Sequence, residues 1–373
     1  MPMIHSRRRA LASVAAAVAL GFAGCGGDDD EAAGGGSAAS EEKKAQKVAV
    51  LLPDTQSSTR WETQDRPLLQ AAFKSAGVPA TIQNAEGDKS TQQQQAEQAI
   101  TNGAKILLLT NLDSGSGAAI QANAKAQGAK VIDYDRLTLK GQADYYVSFN
   151  NVEVGKLQGQ GLVDCLTEAG TEKPKIAELN GSPTDNNATL FKEGYDSILD
   201  PLYDSGEATK VADQSVPDWD NQQALTIFEQ MLQKENNEID GVLAANDGLG
   251  NAVISALKQR KLDQIPVTGQ DATAEGIQNI LNGDQCMTVY KAIKAEADAA
   301  AKLAIALSKG EEPPAGLVNG ETDDGSRKVP SALLKPVTVT KENIADTVIK
   351  DGFLKREEIC TGKVASVCEE AGV

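Results

Sequence analysis

Histidine is almost absent from the sequence. His5 is the only one, and it lies in a leading segment that has the character of an export signal. Catalysis by Ser-His-Asp or Cys-His groups, and metal binding through imidazole, each need a histidine at the site. Once the leading segment is removed, these chemistries are excluded, and we expect neither a metal nor a cofactor.

Cysteine is scarce, with five in 373 residues, and no two of them form a C-x-x-C pair. A zinc or iron–sulfur site is therefore disfavoured. In an exported protein, cysteines more often form disulfides. Apart from Cys25, the four cysteines allow three connectivities, among which the local candidate is Cys360–Cys368: Cys165, Cys286, Cys360 and Cys368.

Basic residues are fewer than acidic ones: the sequence has 36 Lys and Arg against 53 Asp and Glu, which gives a formal net charge of −17. Nucleic-acid binding needs a basic surface that neutralises phosphates, so no nucleic-acid partner is expected. The content of 40% apolar and 24% charged residues is ordinary for a globular protein, and the length allows two domains with sizeable cores.

The sequence also lacks an apolar run of the about 20 residues that a transmembrane helix needs. Three arginines at 7–9 precede a shorter apolar run at 10–22, which is typical of an export signal.

This run leads into Phe22-Ala23-Gly24-Cys25, which resembles the lipobox of bacterial lipoproteins, whose cysteine is lipidated and becomes the first residue of the mature protein. An ordinary secretory signal is the alternative. We predict a lipoprotein signal peptide over 1–24, lipidation of Cys25, and an extracytoplasmic protein anchored to the outer face of the cell membrane. Residues 25–46 are rich in Gly, Ser, Ala and acids, a composition that predicts a flexible tether.

From residue 47 onward, short apolar runs alternate with longer helix-like segments. Helices of 10–15 residues between strands indicate βαβ units and a parallel sheet. Predicted strands are 47–52, 78–83, 105–110, 129–133 and 145–149, then 173–180, 210–215, 239–246, 265–270 and 286–290, with a last strand at 336–340. Predicted helices are 60–75, 90–101, 114–126, 186–199, 220–234, 248–259, 273–282, 291–309 and 341–350, with Ser90 and Ser114 as N-caps and Gly77, Gly103 and Gly128 as C-terminal stops. The segment 311–330 is rich in Gly, Pro and acids and predicts a loop.

Two successive series of βα units predict an α/β protein with two doubly wound, Rossmann-like parallel-sheet domains joined by a three-crossing hinge. We expect residues 47–149 and 291–335 to form an N-terminal lobe. Residues 150–290 and 336–373 would form a C-terminal lobe.

The strand that begins at Ala129 ends in a polar cluster, Asp133, Asp135 and Arg136. The carboxyl ends of strands in an open α/β sheet face the crevice where ligands bind. A carboxylate beside a guanidinium fork offers acceptors and donors at one spot, which suits a polyhydroxylated ligand. The alternative is a surface salt bridge that contributes less than about 1 kcal/mol.

Other strands end in the same way. Only 4% of the residues are aromatic, and the two tryptophans both fall in such loops. An aromatic face can cover the apolar face of a pyranose, while Asp, Asn, Arg and Lys bond its hydroxyls. The polar ends are Thr59-Arg60-Trp61, Ser182-Pro183-Thr184-Asp185-Asn186-Asn187, Pro217-Asp218-Trp219, Ala245-Asn246-Asp247, Gly269-Gln270-Asp271 and Tyr290-Lys291.

At these residues, from 47 to about 355, the chain resembles the type I periplasmic binding proteins of bacterial sugar transporters, most closely their xylose-binding members. The matching motifs are Arg60-Trp61, Tyr134-Asp135-Arg136, Ser148-Phe149-Asn150-Asn151, Gly181-Ser182-Pro183-Thr184-Asp185-Asn186-Asn187-Ala188, Asn246-Asp247, Gly269-Gln270-Asp271-Ala272, Met287-Thr288-Val289-Tyr290-Lys291 and the run 346–353.

The resemblance implies roles for nine residues in binding a sugar between two lobes. Arg60, Asp135 and Arg136 would contact it from the N-terminal lobe, and Lys291 from the hinge. The C-terminal lobe would contribute Asn187, Trp219, Asn246 and Asp271, with Trp61 and Trp219 on either side of the ring.

The implied function is that of a non-enzymatic, monomeric receptor for a monosaccharide, with D-xylose as the expected ligand and the permease and ATPase of an ABC importer as partners. One alternative is a sensory ectodomain or a receptor for another small sugar. A more remote one is a glycosidase that uses paired carboxylates among Asp135, Asp185, Asp247 and Asp271. Against the glycosidase, neighbouring Arg and Asn residues are expected to keep these carboxylates ionised, whereas a general acid needs a raised pKa.

Overall fold

The computed structural model describes residues 45–262 and 264–373. The predicted signal peptide, the lipidation site Cys25 and almost all of the tether lie outside the described residues. No helix within the described ranges is both long and apolar enough to cross a membrane.

The observed elements follow the predicted alternation of strands and helices. The strands are β1 (Lys47–Leu52), β2 (Ala80–Asn84), β3 (Ala104–Leu109), β4 (Lys130–Tyr134), β5 (Tyr145–Phe149), β6 (Lys175–Asn180), β7 (Thr209–Ser215), β8 (Gly241–Ala244), β9 (Thr288–Tyr290), β10 (Gly320–Asp323), β11 (Lys328–Leu334) and β12 (Val337–Val339). The helices are α1 (Arg66–Ser75), α2 (Lys89–Thr101), α3 (Ser114–Ala126), α4 (Asn151–Glu168), α5 (Asn186–Ser205), α6 (Asn221–Lys234), α7 (Asp247–Arg260), α8 (Ala274–Asn282), α9 (Ile293–Lys309), α10 (Arg356–Ile359) and α11 (Val364–Glu370).

The first sheet has seven strands in the order β10-β11-β5-β4-β3-β1-β2, all paired in parallel except β10 with β11. Successive side chains of a strand point to opposite faces. In β1, Val48 and Val50 therefore pack with α1 and α9, whereas Ala49 and Leu51 pack with α2 and α3. Helices thus cover both faces, as in a doubly wound fold.

The second sheet contains β7-β6-β8 in parallel, extended by isolated parallel bridges from Val242 to Val267 and from Gln270 to Val289. Strand β9 pairs antiparallel with β12. The core of this part comes from α4, α5, α6 and α7 packed around the sheet.

Within the described residues, three connections join the two sheets. The chain leaves the first sheet after Phe149, returns to it through α9 after Tyr290, and leaves again after Leu334 to form β12. This arrangement confirms the predicted fold class, including the three crossings.

Several local predictions were wrong. The expected loop 311–330 contains β10 and the start of β11, and β11 pairs with β5 inside the first sheet. The expected strand 265–270 makes only the two isolated bridges, and the expected helix 341–350 is reduced to a π-helical turn, Ala345–Ile349.

Two helix N-caps also differ from the prediction. Asp88 and Asp113, rather than Ser90 and Ser114, accept hydrogen bonds from the backbone of the first turns of α2 and α3. An ionised carboxylate at an N-cap also interacts favourably with the helix dipole. The predicted stops Gly77, Gly103 and Gly128 do adopt positive φ angles after α1, α2 and α3.

The local cysteine pair is confirmed as a disulfide, Cys360–Cys368, and the other bond is Cys165–Cys286. The first bond ties the C-terminal tail together where it packs on α8 and Tyr290. The second joins α4 to the segment that leads into β9.

Candidate functional site

One cavity lies between the two sheets, at the carboxyl ends of their parallel strands. All nine residues predicted from the sequence line it: Arg60, Trp61, Asp135, Arg136, Asn187, Trp219, Asn246, Asp271 and Lys291. The cavity is therefore built from charged, amide and aromatic side chains of both sheets.

Arg60 is fixed by three buried carboxylates on the first-sheet side. Its Nε and Nη2 donate to the two oxygens of Asp65 at 2.9 Å, its Nη1 to Asp135 Oδ2 at 2.9 Å, and its Nη2 to Glu296 Oε2 at 2.6 Å. When two nitrogens of a guanidinium donate to the two oxygens of one carboxylate, the pair of charge-assisted hydrogen bonds fixes the orientation of the guanidinium and adds to its binding energy. The Arg60 side chain thus reaches the cavity in one orientation.

Asp135 follows β4 in the left-handed backbone region, with φ of 63°. Burial opposes its ionisation, but Lys291, Arg60 and Arg136 together lower its pKa to about 2. Its carboxylate is therefore an acceptor at physiological pH, as the sequence predicted.

Lys291 connects the two sides of the cavity just after β9. Its Nζ lies 3.6 Å from Asp135 Oδ2 and 3.8 Å from Asp271 Oδ1. The ammonium group thus stands between carboxylates that belong to different sheets.

Direct contacts cross the cleft beside the cavity. Asn187 Nδ2 donates to the backbone oxygen and to Oδ1 of Asp135, each at 3.0 Å. Arg136 Nε lies 3.2 Å from Asp185 Oδ2, and both side chains are buried. The alternative that Asp135 and Arg136 form a surface salt bridge is wrong, because both are buried and Arg136 pairs with Asp185 of the other side.

Trp219 is held firmly at the second-sheet side. Its Nε1 donates to Asp185 Oδ2 at 3.1 Å, and its ring meets Phe191 edge-on with centroids 6.4 Å apart. A Cβ at Gly181 would lie 2.0 Å from Trp219 Cη2, so only glycine leaves room for the indole there.

Trp61 presents its ring beside two cations. The Arg60 guanidinium lies 4.4 Å, and that of Arg136 5.7 Å, from the ring centroid. Cations at such distances are attracted to the face of an indole ring. That Trp61 and Trp219 enclose a ligand ring from two sides stays a prediction.

Two second-sheet carboxyl groups, Asp271 and Asp247, have raised pKa values, although the sequence predicts that neighbouring residues keep such groups ionised. Burial raises the pKa of Asp271, against the opposing effect of Lys291 and Arg60. Burial likewise raises the pKa of Asp247 to about 7. The expectation was wrong for Asp247, because its desolvation and the nearby Asp271 together outweigh the hydrogen bonds that it accepts. Asp247 does not line the cavity and lies behind Asn246.

Five further residues line the cavity but were not assigned to it from the sequence: Ser57, Ser58, Asp185, Phe191 and Gln270. Asp185 and Gln270 lie inside the polar strand ends recognised in the sequence, and Asp185 is also one of the candidate glycosidase carboxylates. Phe191 lies on α5 at a spacing typical of a core residue. No sequence signal distinguishes it from the apolar residues around it.

The model of a periplasmic binding protein domain matches residues 48–312. The chain belongs to the periplasmic binding protein family. It is 38% identical to the D-xylose-binding periplasmic protein of Escherichia coli (strain K12) over 314 residues, which cover 84% of this chain and 92% of that one. With the D-xylose-binding periplasmic protein of Haemophilus influenzae it shares 39% identity over 301 residues, 80% of this chain and 88% of the relative.

Among solved structures, the chain is similar to a carbohydrate transporter solute-binding protein from Chloroflexus aurantiacus in complex with D-glucose. The TM-score is 0.76 at 29% identity, covering 84% of this chain and 98% of the other. These matches confirm the family predicted from the sequence motifs and its two-sheet α/β fold. The family consists of solute-binding proteins.

Proposed function

We propose that this periplasmic binding protein is a receptor that binds a monosaccharide in the cavity between the two sheets and delivers it to a membrane permease. The observation that carries the proposal is the lining of the cavity. Carboxylates, amides and cations supply hydrogen-bond partners for hydroxyl groups, and Trp61 and Trp219 supply apolar faces. The nine predicted residues are the proposed sugar contacts.

D-xylose is the expected ligand, and the identity with two proteins named for D-xylose binding supports it. D-glucose is the main competitor, since the similar structure from Chloroflexus holds it. A pocket distinguishes such sugars by unpaired hydroxyl partners or by steric exclusion of one hydroxymethyl group.

Titration calorimetry of the purified protein against xylose, glucose, ribose, arabinose and galactose tests both statements. One-to-one binding of xylose, with much weaker binding of the others, is the expected result. Preference for another sugar would correct the ligand and keep the receptor. No binding of any sugar would contradict the proposal and favour a sensory ectodomain with a different ligand.

The two lobes are proposed to close around the sugar at the three-crossing hinge, with the boundaries predicted from the sequence. A ligand that contacts both lobes only when they are closed shifts the equilibrium toward the closed state. The closed pair of lobes would present one surface to the permease, whose ATPase drives import.

We further propose that the protein has no enzymatic activity. Asp135 is held ionised by three cations, and Asp247, whose pKa is near 7, is outside the cavity lining. An aryl glycoside assayed with the purified protein should release no aryl alcohol, and turnover that disappears in a D271N variant would overturn this proposal.

The proposed anchor is a lipid on Cys25, with the protein acting as a monomer on the outer face of the membrane. Metabolic labelling with a radioactive fatty acid should label the wild-type chain and leave a Cys25→Ala variant unlabelled. Equal labelling of both would contradict the assignment.

A further inference from the structure

Asp247 is fully buried behind the cavity, where four donors surround its carboxylate. Oδ2 accepts from the backbone N–H of Thr273 at 2.7 Å and from its hydroxyl at 3.1 Å. Oδ1 accepts from Gln285 Nε2 at 2.9 Å and from Thr288 Oγ1 at 2.8 Å. One carboxylate thus joins the start of α7, the loop before α8 and the segment that leads into β9.

A residue of the cavity lies in or next to each of these elements: Asn246 directly before α7, Asp271 in the loop before α8, and Lys291 directly after β9. Glycines make room for the carboxylate between them, because a Cβ at Gly269 would lie 2.1 Å from Asp247 Oδ1 and one at Gly276 2.3 Å from Oδ2. Asp247 therefore links, through its hydrogen bonds, the three segments that form the second-sheet side of the cavity.

Asp133 occupies a chemically equivalent place on the first-sheet side. It is fully buried, and its carboxylate accepts from the backbone N–H of Thr138 at 2.7 Å, from the Thr138 hydroxyl at 3.0 Å and from Gln121 Nε2 at 2.7 Å. Thr138 Oγ1 in turn accepts from Asn111, whose amide also donates to the backbone oxygen of Arg136 at 3.0 Å.

Both carboxylates hold loops whose backbone is strained. Asp271 and Ala272 have φ of 100° and 51°, and Asp135 has φ of 63°. Non-glycine residues adopt this region at a cost in free energy and remain there only where the surroundings fix them. The residues that face the cavity are thus in positions that their loops would not keep unaided.

We propose that Asp133 and Asp247 are positioning residues, one on each side of the cavity, that hold the strained loops carrying Arg136 and Asp271 in their ligand-binding geometry. Neither one lines the cavity, and each acts through a threonine: Thr138 on the first-sheet side and Thr273 on the second. The inference rests on the proposed function, because its readout is sugar affinity.

Double-mutant cycles test the pairing, with affinity measured for D-xylose or D-glucose, whichever the wild-type protein binds more tightly. D247N replaces one acceptor oxygen by a donor without changing the shape of the side chain. We expect it to weaken binding about tenfold in the wild-type background and by less than about twofold in a D271N background. In an R136K background the loss should again be about tenfold.

D133N is the matched control, because it changes an equally buried carboxylate on the other side. Its effect should shrink in the R136K background and remain in the D271N background. General destabilisation cannot produce this crossed pattern, since it would weaken binding regardless of the partner substitution.

Circular dichroism melts establish that each variant is folded before its affinity is used. If D247N or D133N does not fold, Thr273→Val and Thr138→Val remove a single hydroxyl donor from the same carboxylates and replace them in the cycles. If D247N and D133N each cause the same loss of binding free energy in the D271N and R136K backgrounds as in the wild-type protein, the inference is overturned and the receptor function stays intact. Failure of the wild-type protein to bind any sugar would instead overturn the proposed function.

Discussion

Trp219 presents its indole to the cavity in a position fixed from several directions. Its backbone is left-handed, with φ of 56°, and the same is true of Asp218, with φ of 53°. Asp185 accepts from its Nε1, and Phe191 packs against its edge. A rigid aromatic residue loses little conformational entropy when a ligand binds, so it contributes more of its contact energy to affinity.

For Trp219→Ala we expect sugar affinity to fall roughly 100-fold, as is typical for the loss of a buried aromatic anchor. Titration calorimetry measures the affinity, and a thermal melt establishes that the variant is folded. Trp219→Phe is the control, since it keeps an aromatic face and should retain more of the affinity. Unchanged affinity in the alanine variant would remove Trp219 from the site.

A substitution at Gly181 tests the position of the Trp219 ring without changing the tryptophan itself. In Gly181→Ala the new methyl group would overlap Cη2 and Cζ2 of Trp219, so the indole must move. We expect an affinity loss of about tenfold or more with the fold retained. The intrinsic fluorescence should also shift, because Trp61 and Trp219 are the two tryptophans of the chain and both line the cavity. A variant with wild-type affinity and emission would show that the ring can be accommodated elsewhere.

At the scale of elements, the disulfides differ in the length of chain they close. Cys165 and Cys286 are 121 residues apart in sequence, whereas Cys360 and Cys368 are 8 apart. The entropy that a cross-link removes from the unfolded chain grows with the logarithm of the loop length. The loop-closure entropy then corresponds to a stabilisation of about 5 kcal/mol for the long loop and about 2.6 kcal/mol for the short one.

Replacing both cysteines of one bond by serine should therefore lower the free energy of unfolding more for Cys165–Cys286 than for Cys360–Cys368. Urea unfolding of the two double variants, compared with the oxidised wild-type protein, measures the difference. A larger loss for the tail bond would show that the packing of the tail on α8, rather than loop closure, determines its contribution.

The elements also show which features the sequence pattern could predict. Parallel strands were recognisable from short apolar runs separated by helices, and their carboxyl ends meet at one edge, so the polar clusters around the cavity could be predicted from the pattern. The choice of nine particular residues within those clusters came from the resemblance to the binding-protein family, and all nine line the cavity. The hairpin of β10 and β11 could not be predicted from the sequence pattern. Pro330 inside β11 argues against a strand in the middle of a sheet, and the pairing of β11 with β5 joins segments about 180 residues apart.

At the scale of the whole molecule, several buried carboxyl groups titrate at a higher pH in the folded protein than in the unfolded chain. Burial raises the pKa of Asp133 and of Asp247 to about 7, and that of Glu296 to about 8. Unfolded carboxyl groups titrate near pH 4. Since these pKa values are raised on folding, their contribution to stability is complete below about pH 4 and is lost as the pH rises through 7 to 8.

We therefore expect the free energy of unfolding to fall by several kcal/mol, up to on the order of 10 kcal/mol, between pH 5 and pH 9. Asp135, with its pKa of about 2, has the opposite effect on stability, and that effect changes only at more acidic pH. Histidine titration does not complicate the range, because the sole histidine of the sequence is His5 in the predicted signal peptide. Urea titrations at a series of pH values measure the slope. Asp247→Asn and Glu296→Gln each remove one titrating group and should flatten it, whereas a lysine-to-glutamine change at the exposed Lys234 should not. Stability that rises over this range would mean that the buried carboxyl groups are ionised in the folded protein, with their hydrogen-bond donors outweighing desolvation.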